Sequence, residues 1–358
     1  MQSTLPESPT IGNDTATTPA RRIDRGLTQY IAPSKLKLIT RTQALTLINR
    51  LRVVRTIDVA AGVFPERSFK AALTAAQRVM GKLVRDGLVR RYVTDRHQHV
   101  YGLTTAGARW LNEQGSEASA SIRRVTEMSN PEHLLWAGFI TLCCEARGIP
   151  AMTESEALRE IAAASGNRRH AEFLSVEVHG LRRALRPDAL AFEGDGVTWF
   201  EIDRSKRGAD REAALVALAM SVGTLLTNGM ALRRVVVTAR NPRIMNRAMS
   251  LLRERIRANA GRTMNSTNER RMIEHEAGSF DVRALVFDDA RQQFVEQTVG
   301  QVIVQLLPTW LPRSGQSSNS STETCWLNEH DLPYRRPERI GAWPVPQSPL
   351  IDAIEADQ

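Results

Sequence analysis

The most informative stretch of this chain is LRPDALAFEGDGVTWFEIDRSKR, residues 185–207. Apolar runs on both sides of the Glu-Gly-Asp-Gly turn at 193–196 predict two antiparallel strands in a hairpin. Asp188 stands where the first run begins, and Glu201 and Asp203 stand where the second run ends. Because alternate residues of a strand face the same side, we expect Glu201 and Asp203 to project together, with Asp188 alongside. Three such carboxylates are typical ligands of Mg²⁺ or Mn²⁺, which activates water and stabilises charge on a phosphodiester.

The elements around this hairpin predict an α/β domain over residues 131–311. Periodicity predicts helices over 131–148, 209–226, 242–258 and near 290–307, and strands over 232–240 and 280–289. A further strand is expected near 151–158. It contains Glu156, which together with Glu132 is a further candidate ligand. The alternative for all these acids is an ordinary surface position beside a turn.

The Pro-Asp pair at 187–188 and the Glu-Ile-Asp segment at 201–203 resemble the PD-(D/E)xK nuclease superfamily. The resemblance implies a restriction-endonuclease-like fold and a metal-dependent nuclease site. Asp203 stands where that superfamily has a lysine, which is usually assigned to positioning water or stabilising the phosphate. Lys206 is the only lysine after residue 82, so we predict that it is a fourth catalytic residue. The alternative is a surface lysine on a loop.

The positive charge of the chain is concentrated near its N-terminus. The chain has 358 residues and a formal net charge of +9. Residues 36–113 carry 14 basic and 5 acidic side chains, whereas residues 114–358 carry 30 and 31. This distribution excludes a uniformly basic, histone-like protein and favours a local module that binds a polyanion.

Residues 39–113 predict a winged helix-turn-helix. Two short helices over 42–64, an amphipathic helix ending at Gly87, a hairpin and a helix capped by Thr104 follow one another. The pieces LVRDGLVRR and VYGLTTAG resemble bacterial winged-helix proteins, which implies a basic helix in the major groove and a wing on the DNA backbone. The predicted contacts with double-stranded DNA are Lys70, Arg78, Lys82, Arg85, Arg90, Arg91 and Arg96. The alternatives are a solvated basic face and a protein-interaction module. For His-Gln-His at 97–99 we favour phosphate contact over metal binding.

The composition of the remaining three segments indicates that they lie outside the folded domains. We predict a disordered arm over 1–38, a linker over 114–130 and a disordered Pro/Ser-rich tail over 312–358. The three cysteines show no zinc-site or disulfide pattern. Neither a secretory signal nor an apolar run of about 18 residues is visible. The sequence therefore predicts a cytoplasmic protein without a membrane partner.

A winged helix followed by RPDALAFEGDGVTWFEIDRS resembles the replication-relaxation family of plasmids and integrative elements, which includes C-type mobilisation relaxases. The resemblance covers about residues 40–305. It implies metal or catalytic roles for Asp188, Glu201 and Asp203, and binding at an origin-like DNA site. It also implies nicking without tyrosine-based transesterification.

The leading hypothesis is a Mg²⁺- or Mn²⁺-dependent, relaxase-like DNA-nicking protein that acts in mobilisation or replication initiation of a mobile element. Its expected partners are double-stranded DNA and conjugation or replication accessory proteins. One alternative is a non-catalytic, sequence-specific DNA-binding regulator with a vestigial nuclease domain. Another is a restriction or junction-resolving enzyme on the same scaffold.

Overall fold

The computed structural model describes residues 31–94, 99–121, 132–165, 172–203, 208–307, 327, 334, 336 and 340–350. Its N-terminal module contains four helices and a two-stranded antiparallel hairpin. In chain order these are α1 (Pro33–Leu51), α2 (Thr56–Val63), α3 (Phe69–Arg85), β1 (Val89–Val93), β2 (His99–Leu103) and α4 (Thr105–Glu113).

Local sequence signals account for the ends of these helices. α1 begins at Pro33, inside the arm predicted for residues 1–38, because proline is well tolerated in the first turn of a helix. α3 ends two residues before Gly87, whose φ of 72° is a left-handed conformation that glycine adopts without strain. The predicted cap of α4 is confirmed, since the Thr104 hydroxyl accepts a hydrogen bond from the Gly107 N–H at 3.0 Å.

The larger part of the molecule is built on a seven-stranded mixed sheet. Its strand order is β3-β6-β7-β8-β11-β10-β9, with β7, β8 and β11 mutually parallel and the other neighbours antiparallel. β4 and β5 form a separate hairpin. The elements are α5 (Glu132–Glu145), β3 (Ala151–Thr153), α6 (Glu154–Ser165), β4 (Leu174–Val178), β5 (Leu181–Leu185), β6 (Ala189–Glu193), β7 (Gly196–Asp203), α7 (Ala209–Met220), β8 (Leu232–Ala239), α8 (Pro242–Ala258), β9 (Arg271–Glu276), β10 (Ser279–Asp288) and β11 (Gln293–Leu306). The chain is therefore a mixed α+β protein.

Two sequence predictions in this region are wrong. The helix expected near residues 290–307 is the strand β11, which lies between β8 and β10 and buries Val302, Ile303 and Val304 in succession. Successive burial on both faces requires a central strand. The strand expected near 151–158 ends at Thr153, where α6 begins: Glu156 accepts hydrogen bonds from the Thr153 N–H at 2.8 Å and from its hydroxyl at 2.9 Å.

The two faces of the sheet pack on different helices. Phe200 and Ile202 of β7 belong to the core on the side of α5. Trp199 of β7 and the alternate residues Val235 and Val237 of β8 belong to the core beneath α7 and α8. Helices therefore cover both faces of β7 and β8, so these strands are central to the fold.

Helix α5 joins the N-terminal module to the sheet. Its Gly138 lies so close to α1 that a Cβ atom there would stand 3.3 Å from Leu51. The Arg55 guanidinium, at the start of α2, lies 5.6 Å from the ring centroid of Trp136 on α5. Since buried residues of the module, α5 and the sheet belong to one apolar cluster, the module is packed rigidly against the sheet.

The described part of the C-terminal segment differs from the predicted disordered tail. Leu327, Tyr334 and Leu350 are almost fully buried. The Tyr334 ring packs edge-on against Phe200 and Trp343, at 5.3 Å between ring centroids in both cases. A Pro-rich composition indicates little regular secondary structure, but widely spaced large apolar residues still allow an extended chain to bury itself on a preformed surface.

Within the described residues, no helix is both long and apolar enough to cross a lipid bilayer.

Candidate nuclease site and nucleic-acid interface

Asp188 is fixed at the end of the β6–β7 hairpin by two contacts. One carboxylate oxygen accepts a hydrogen bond from the Ile202 N–H at 2.6 Å, and the other lies 3.0 Å from His133 Nε2. The Asp188 side chain is only 16% exposed, whereas His133, near the start of α5, is 44% exposed. The carboxylate is therefore oriented by the neighbouring strand and by α5, and it lies near a solvent-accessible imidazole.

Glu201 and Asp203 lie at the end of β7, beside Asp188 in the chain trace. Glu201 is half-buried and accepts a hydrogen bond from Trp199 Nε1 at 2.8 Å. This contact confirms that alternate residues of β7 face the same side. Asp203 is almost completely buried, at 6% exposure. Its backbone oxygen accepts the Arg240 N–H at 2.9 Å, where β8 ends.

The sheet brings these acids to one edge without gathering their carboxylates. Trp199 packs beneath α7, so Glu201 points to that face, whereas Asp188 contacts His133 on the α5 face. Among the residues that the structure describes, no three His, Cys, Asp or Glu side chains form a cluster suited to a metal ion. Lys206, the fourth predicted catalytic residue, lies outside the described residues.

Glu156 and Glu132, the two further candidate ligands, have different surroundings. Glu156 is paired with Arg50 of α1 at 2.5 Å, and Arg50 also contacts Glu145 of α5 at 2.7 Å. Burial raises the pKa of Glu156, but hydrogen bonds from Arg50 and Thr153 outweigh it and hold the pKa below its ordinary value. Arg50 therefore links α1 electrostatically to Glu145 of α5 and to Glu156 of α6. Glu132 is half-buried in the first turn of α5, next to His133.

The basic residues predicted to contact DNA divide into exposed and paired groups. Lys70, Arg78 and Arg85 of α3 are exposed, and so are Arg90 and Arg91 of β1. They follow the outer side of α3 and continue onto the hairpin. Arg96 lies outside the described residues. These five described side chains are therefore accessible to solvent on α3 and on the hairpin.

Lys82 differs from this group because it is half-buried and paired. Its ammonium lies 2.9 Å from Asp86, and Arg41 of α1 contacts the same carboxylate at 2.9 Å. The Lys82 hydrogen bond and the nearby cations hold the pKa of Asp86 below its ordinary value. The Lys82 charge is therefore partly neutralised within the module.

A second polar cluster lies at the opposite end of β7. Arg234 of β8 is fully buried and donates to Asp195 at 2.5 and 2.7 Å, to Glu193 at 3.2 Å and to Thr198 at 2.8 Å. Glu193 also accepts from the Tyr334 hydroxyl at 3.1 Å. Burial and the charge of Glu193 raise the pKa of Tyr334 well above its ordinary value, so its phenol is held protonated. This tyrosine is therefore built for packing and not for nucleophilic attack.

Comparison with known protein families gives a match to part of the chain. Residues 45–216 match the model of the replication-relaxation family. The matched range begins in α1 and ends in α7, so it includes α3, the β1–β2 hairpin, His133 and all three acids of the β6–β7 hairpin. The resemblance inferred from the sequence is confirmed. The replication-relaxation family suggests a role in plasmid replication or mobilisation. Neither the curated proteins nor the solved structures contain a significant match.

His133 is the residue at this site that sequence reasoning missed. It lies 55 positions before its partner Asp188, and nothing local to the helix 131–148 marks it as functional. The available signal was its place in the first turn of a strongly apolar helix, where an imidazole is not needed for packing. The packing of α5 on β6 brings the two side chains together.

Proposed function

We propose that this chain is a DNA-binding, metal-dependent DNA-nicking protein that acts in mobilisation or replication initiation of a plasmid or integrative element. The observation that carries the proposal is the oriented Asp188 carboxylate, held by Ile202 and His133 at the edge where β7 ends. It lies within the range that matches the replication-relaxation family. The N-terminal module supplies the basic surface that such an activity requires.

In this proposal the N-terminal module is a winged helix-turn-helix. Helix α3 enters the major groove with Lys70, Arg78 and Arg85, and the β1–β2 hairpin acts as the wing with Arg90 and Arg91 on the flanking backbone. Two features support it: these side chains are exposed, and they follow one another from α3 onto β1. Lys82 has to exchange Asp86 for a phosphate and therefore contributes less.

The nicking step is assigned to the acids of the β6–β7 hairpin. Mg²⁺ in phosphoryl-transfer sites is commonly bound through one or two carboxylates together with substrate phosphate, and it retains several waters. In this proposal Asp188, together with Glu201 or Asp203, would hold such an ion, which would supply activated water and charge stabilisation. The chain's own contribution is orientation: Ile202 N–H and His133 hold the Asp188 carboxylate in place.

The rigid junction through α5 supports a joint role for the two parts. His133 lies on the helix whose residue Trp136 packs against Arg55 of the N-terminal module. DNA bound to the module is therefore held at a fixed distance from Asp188, which positions one strand for cleavage.

The decisive experiment incubates the full chain with supercoiled plasmid that carries its cognate origin, with Mg²⁺, Mn²⁺ or EDTA. We expect conversion to the nicked form with either ion, none with EDTA, and at least a 100-fold slower rate for Asp188→Asn. Glu254→Gln, an exposed carboxylate of α8, is the matched control and should nick normally. Equal nicking by Asp188→Asn and the wild type would contradict the assignment.

The DNA surface is tested separately, by measuring affinity at several salt concentrations. Each of Arg78→Ala and Arg85→Ala should lower the slope of log K against log salt by about 1, because one phosphate contact is lost. Arg255→Ala on α8 removes an equivalent exposed charge and should leave the slope unchanged.

A non-catalytic DNA-binding regulator is the second candidate. Two observations favour it: Asp203 occupies the position where the nuclease superfamily has a lysine, and the described residues contain no three-ligand cluster. If wild-type and Asp188→Asn chains bind cognate DNA equally and neither nicks it with Mg²⁺ or Mn²⁺, this second function is correct.

A further inference from the structure

A groove with basic walls runs between α1 and α3 of the N-terminal module. It encloses about 510 Å³ and has an apolar floor that includes Phe64, Val79 and Leu83. Five cationic side chains and a single carboxylate, Asp86, line it. The cations are Lys37, Arg41, Arg67, Arg78 and Lys82.

The C-terminal segment leads directly into this groove. Tyr334 is anchored on Glu193, and the Gln347 N–H donates to the Ala146 oxygen at 2.9 Å beyond the end of α5. Leu350 then lines the groove and is only 1% exposed. Contacts along its described path therefore bring the chain to the groove as far as Leu350.

The residues that follow Leu350 complement the groove in charge and polarity. Their sequence, IDAIEADQ at 351–358, contains three carboxylates and no cation, together with two isoleucines. Eight residues extend over at most about 29 Å. The part of α3 that lines the groove, residues 75–86, spans about 17 Å at 1.5 Å per residue. The segment can therefore reach every cation on that wall.

We propose that residues 351–358 of this chain dock in the α1–α3 groove, with their carboxylates on its cationic walls and their isoleucines on its apolar floor. Arg78 and Lys82 line the groove and are also predicted DNA contacts. The docked segment thus competes with phosphate for these two side chains and restrains DNA binding. The restraint rests on the proposed function, whereas the docking does not.

The magnitude follows from the tether. A short flexible tether gives an effective concentration in the millimolar range. If the free peptide binds with a Kd of about 0.1 mM, the ratio of docked to undocked chains is about 10. DNA binding is then weakened about tenfold. Both values should fall as salt rises, because the contacts are mainly ionic.

The docking is tested without DNA. A fluorescein-labelled peptide IDAIEADQ is titrated with a chain that ends at Leu350, and its anisotropy is followed. We expect saturable, salt-sensitive binding that is at least fivefold weaker for the neutral peptide INAIQANQ. Binding should also weaken with Arg67→Gln, which lines the groove and is not a predicted DNA contact. No binding at 2 mM protein, or equal binding of the neutral peptide, overturns the docking.

The restraint is tested by DNA affinity in three full-length forms. Removing residues 351–358, or neutralising them with Asp352→Asn, Glu355→Gln and Asp357→Asn, should tighten binding about tenfold. The same change in charge on the β10–β11 hairpin, with Asp288→Asn, Asp289→Asn and Glu296→Gln, controls for net charge and should tighten DNA binding much less.

The outcomes separate the two proposals. If the peptide docks and the chain binds no DNA, the docking stands and the proposed function fails. If the peptide docks and all forms bind DNA equally, the restraint is overturned. If the segment acts from one molecule on another, the tightening depends on protein concentration, and docking within one chain is overturned.

Discussion

Replacing Arg234 with methionine tests whether the buried cluster at the turn of the β6–β7 hairpin holds the sheet together. Arg234 is completely buried and makes four hydrogen bonds of 2.5–3.2 Å to Glu193, Asp195 and Thr198. Burial lowers the pKa of its guanidinium. The hydrogen bond to Asp195 and the neighbouring charges outweigh that effect and raise the pKa above its ordinary value, so the group stays charged. Methionine fills similar volume and removes the charge.

The expected loss follows from the groups left behind. Removing one partner of a buried ion pair costs about 3–5 kcal/mol, mainly because the remaining charge is left uncompensated. Asp195 is 38% exposed and can return to water. Glu193 is 1% exposed but keeps Arg336 at 2.8 Å. Both facts reduce the penalty, so we expect a loss of about 3 kcal/mol.

The assay is equilibrium urea unfolding of the full chain, followed by tryptophan fluorescence, with the slope m checked for constancy. The control is Arg182→Met, which breaks an exposed pair with Glu172 and should cost less than about 1 kcal/mol. If the Arg234→Met chain loses no more than the Arg182→Met chain, the cluster does not stabilise the fold.

Three further predictions concern packing, reactivity and pH. Gly300→Ala should destabilise the chain by about 1–3 kcal/mol in the same urea assay, because the new Cβ atom would stand 2.1 Å from a backbone oxygen of β8. Cys143 and Cys144 should resist thiol reagents until the chain unfolds, because burial raises the pKa of both, and mass spectrometry of labelled peptides checks this. Glu156→Gln should destabilise the chain at pH 7. Arg50 holds the folded-state pKa of Glu156 below its unfolded-state value of about 4.3, so the charged carboxylate stabilises the fold above that pH. That difference should shrink as the pH falls through the folded pKa, measured by urea titrations between pH 3 and 7.

The sequence predicted those helices and strands whose turn, apolar run or helical period is contained in a short stretch of residues. The β6–β7 hairpin, β8 and α8 follow from a tight turn, a buried apolar run and a 3.6-residue period. β11 was misassigned because an apolar run without strict alternation fits a buried helix as well as a central strand. Only its pairing with β8 and β10, which is not encoded locally, distinguishes the two.

The candidate site was predictable in part for the same reason. Asp188, Glu201 and Asp203 share one hairpin, so their proximity follows from a single turn. Their division between two faces does not, because it depends on how α5 and α7 pack. His133 reaches Asp188 through that packing alone. The pairing of Lys82 with Asp86 was available from i,i+4 spacing, whereas the contact with Arg41 of α1 was not.

The anchoring of Tyr334 and Arg336 on Glu193 also has a consequence for biosynthesis. Glu193 and Arg234 are translated well before these two residues, and 143 positions separate Glu193 from Arg336. At about 5–20 residues per second, that interval lasts roughly 7–30 s. During it Glu193 lacks its contacts with Tyr334 and Arg336, and the face of Phe200 that Tyr334 later covers is exposed. A stretch translated much later thus completes the interior of a sheet begun earlier, and a chaperone that binds this face during synthesis should release it only when Tyr334 arrives.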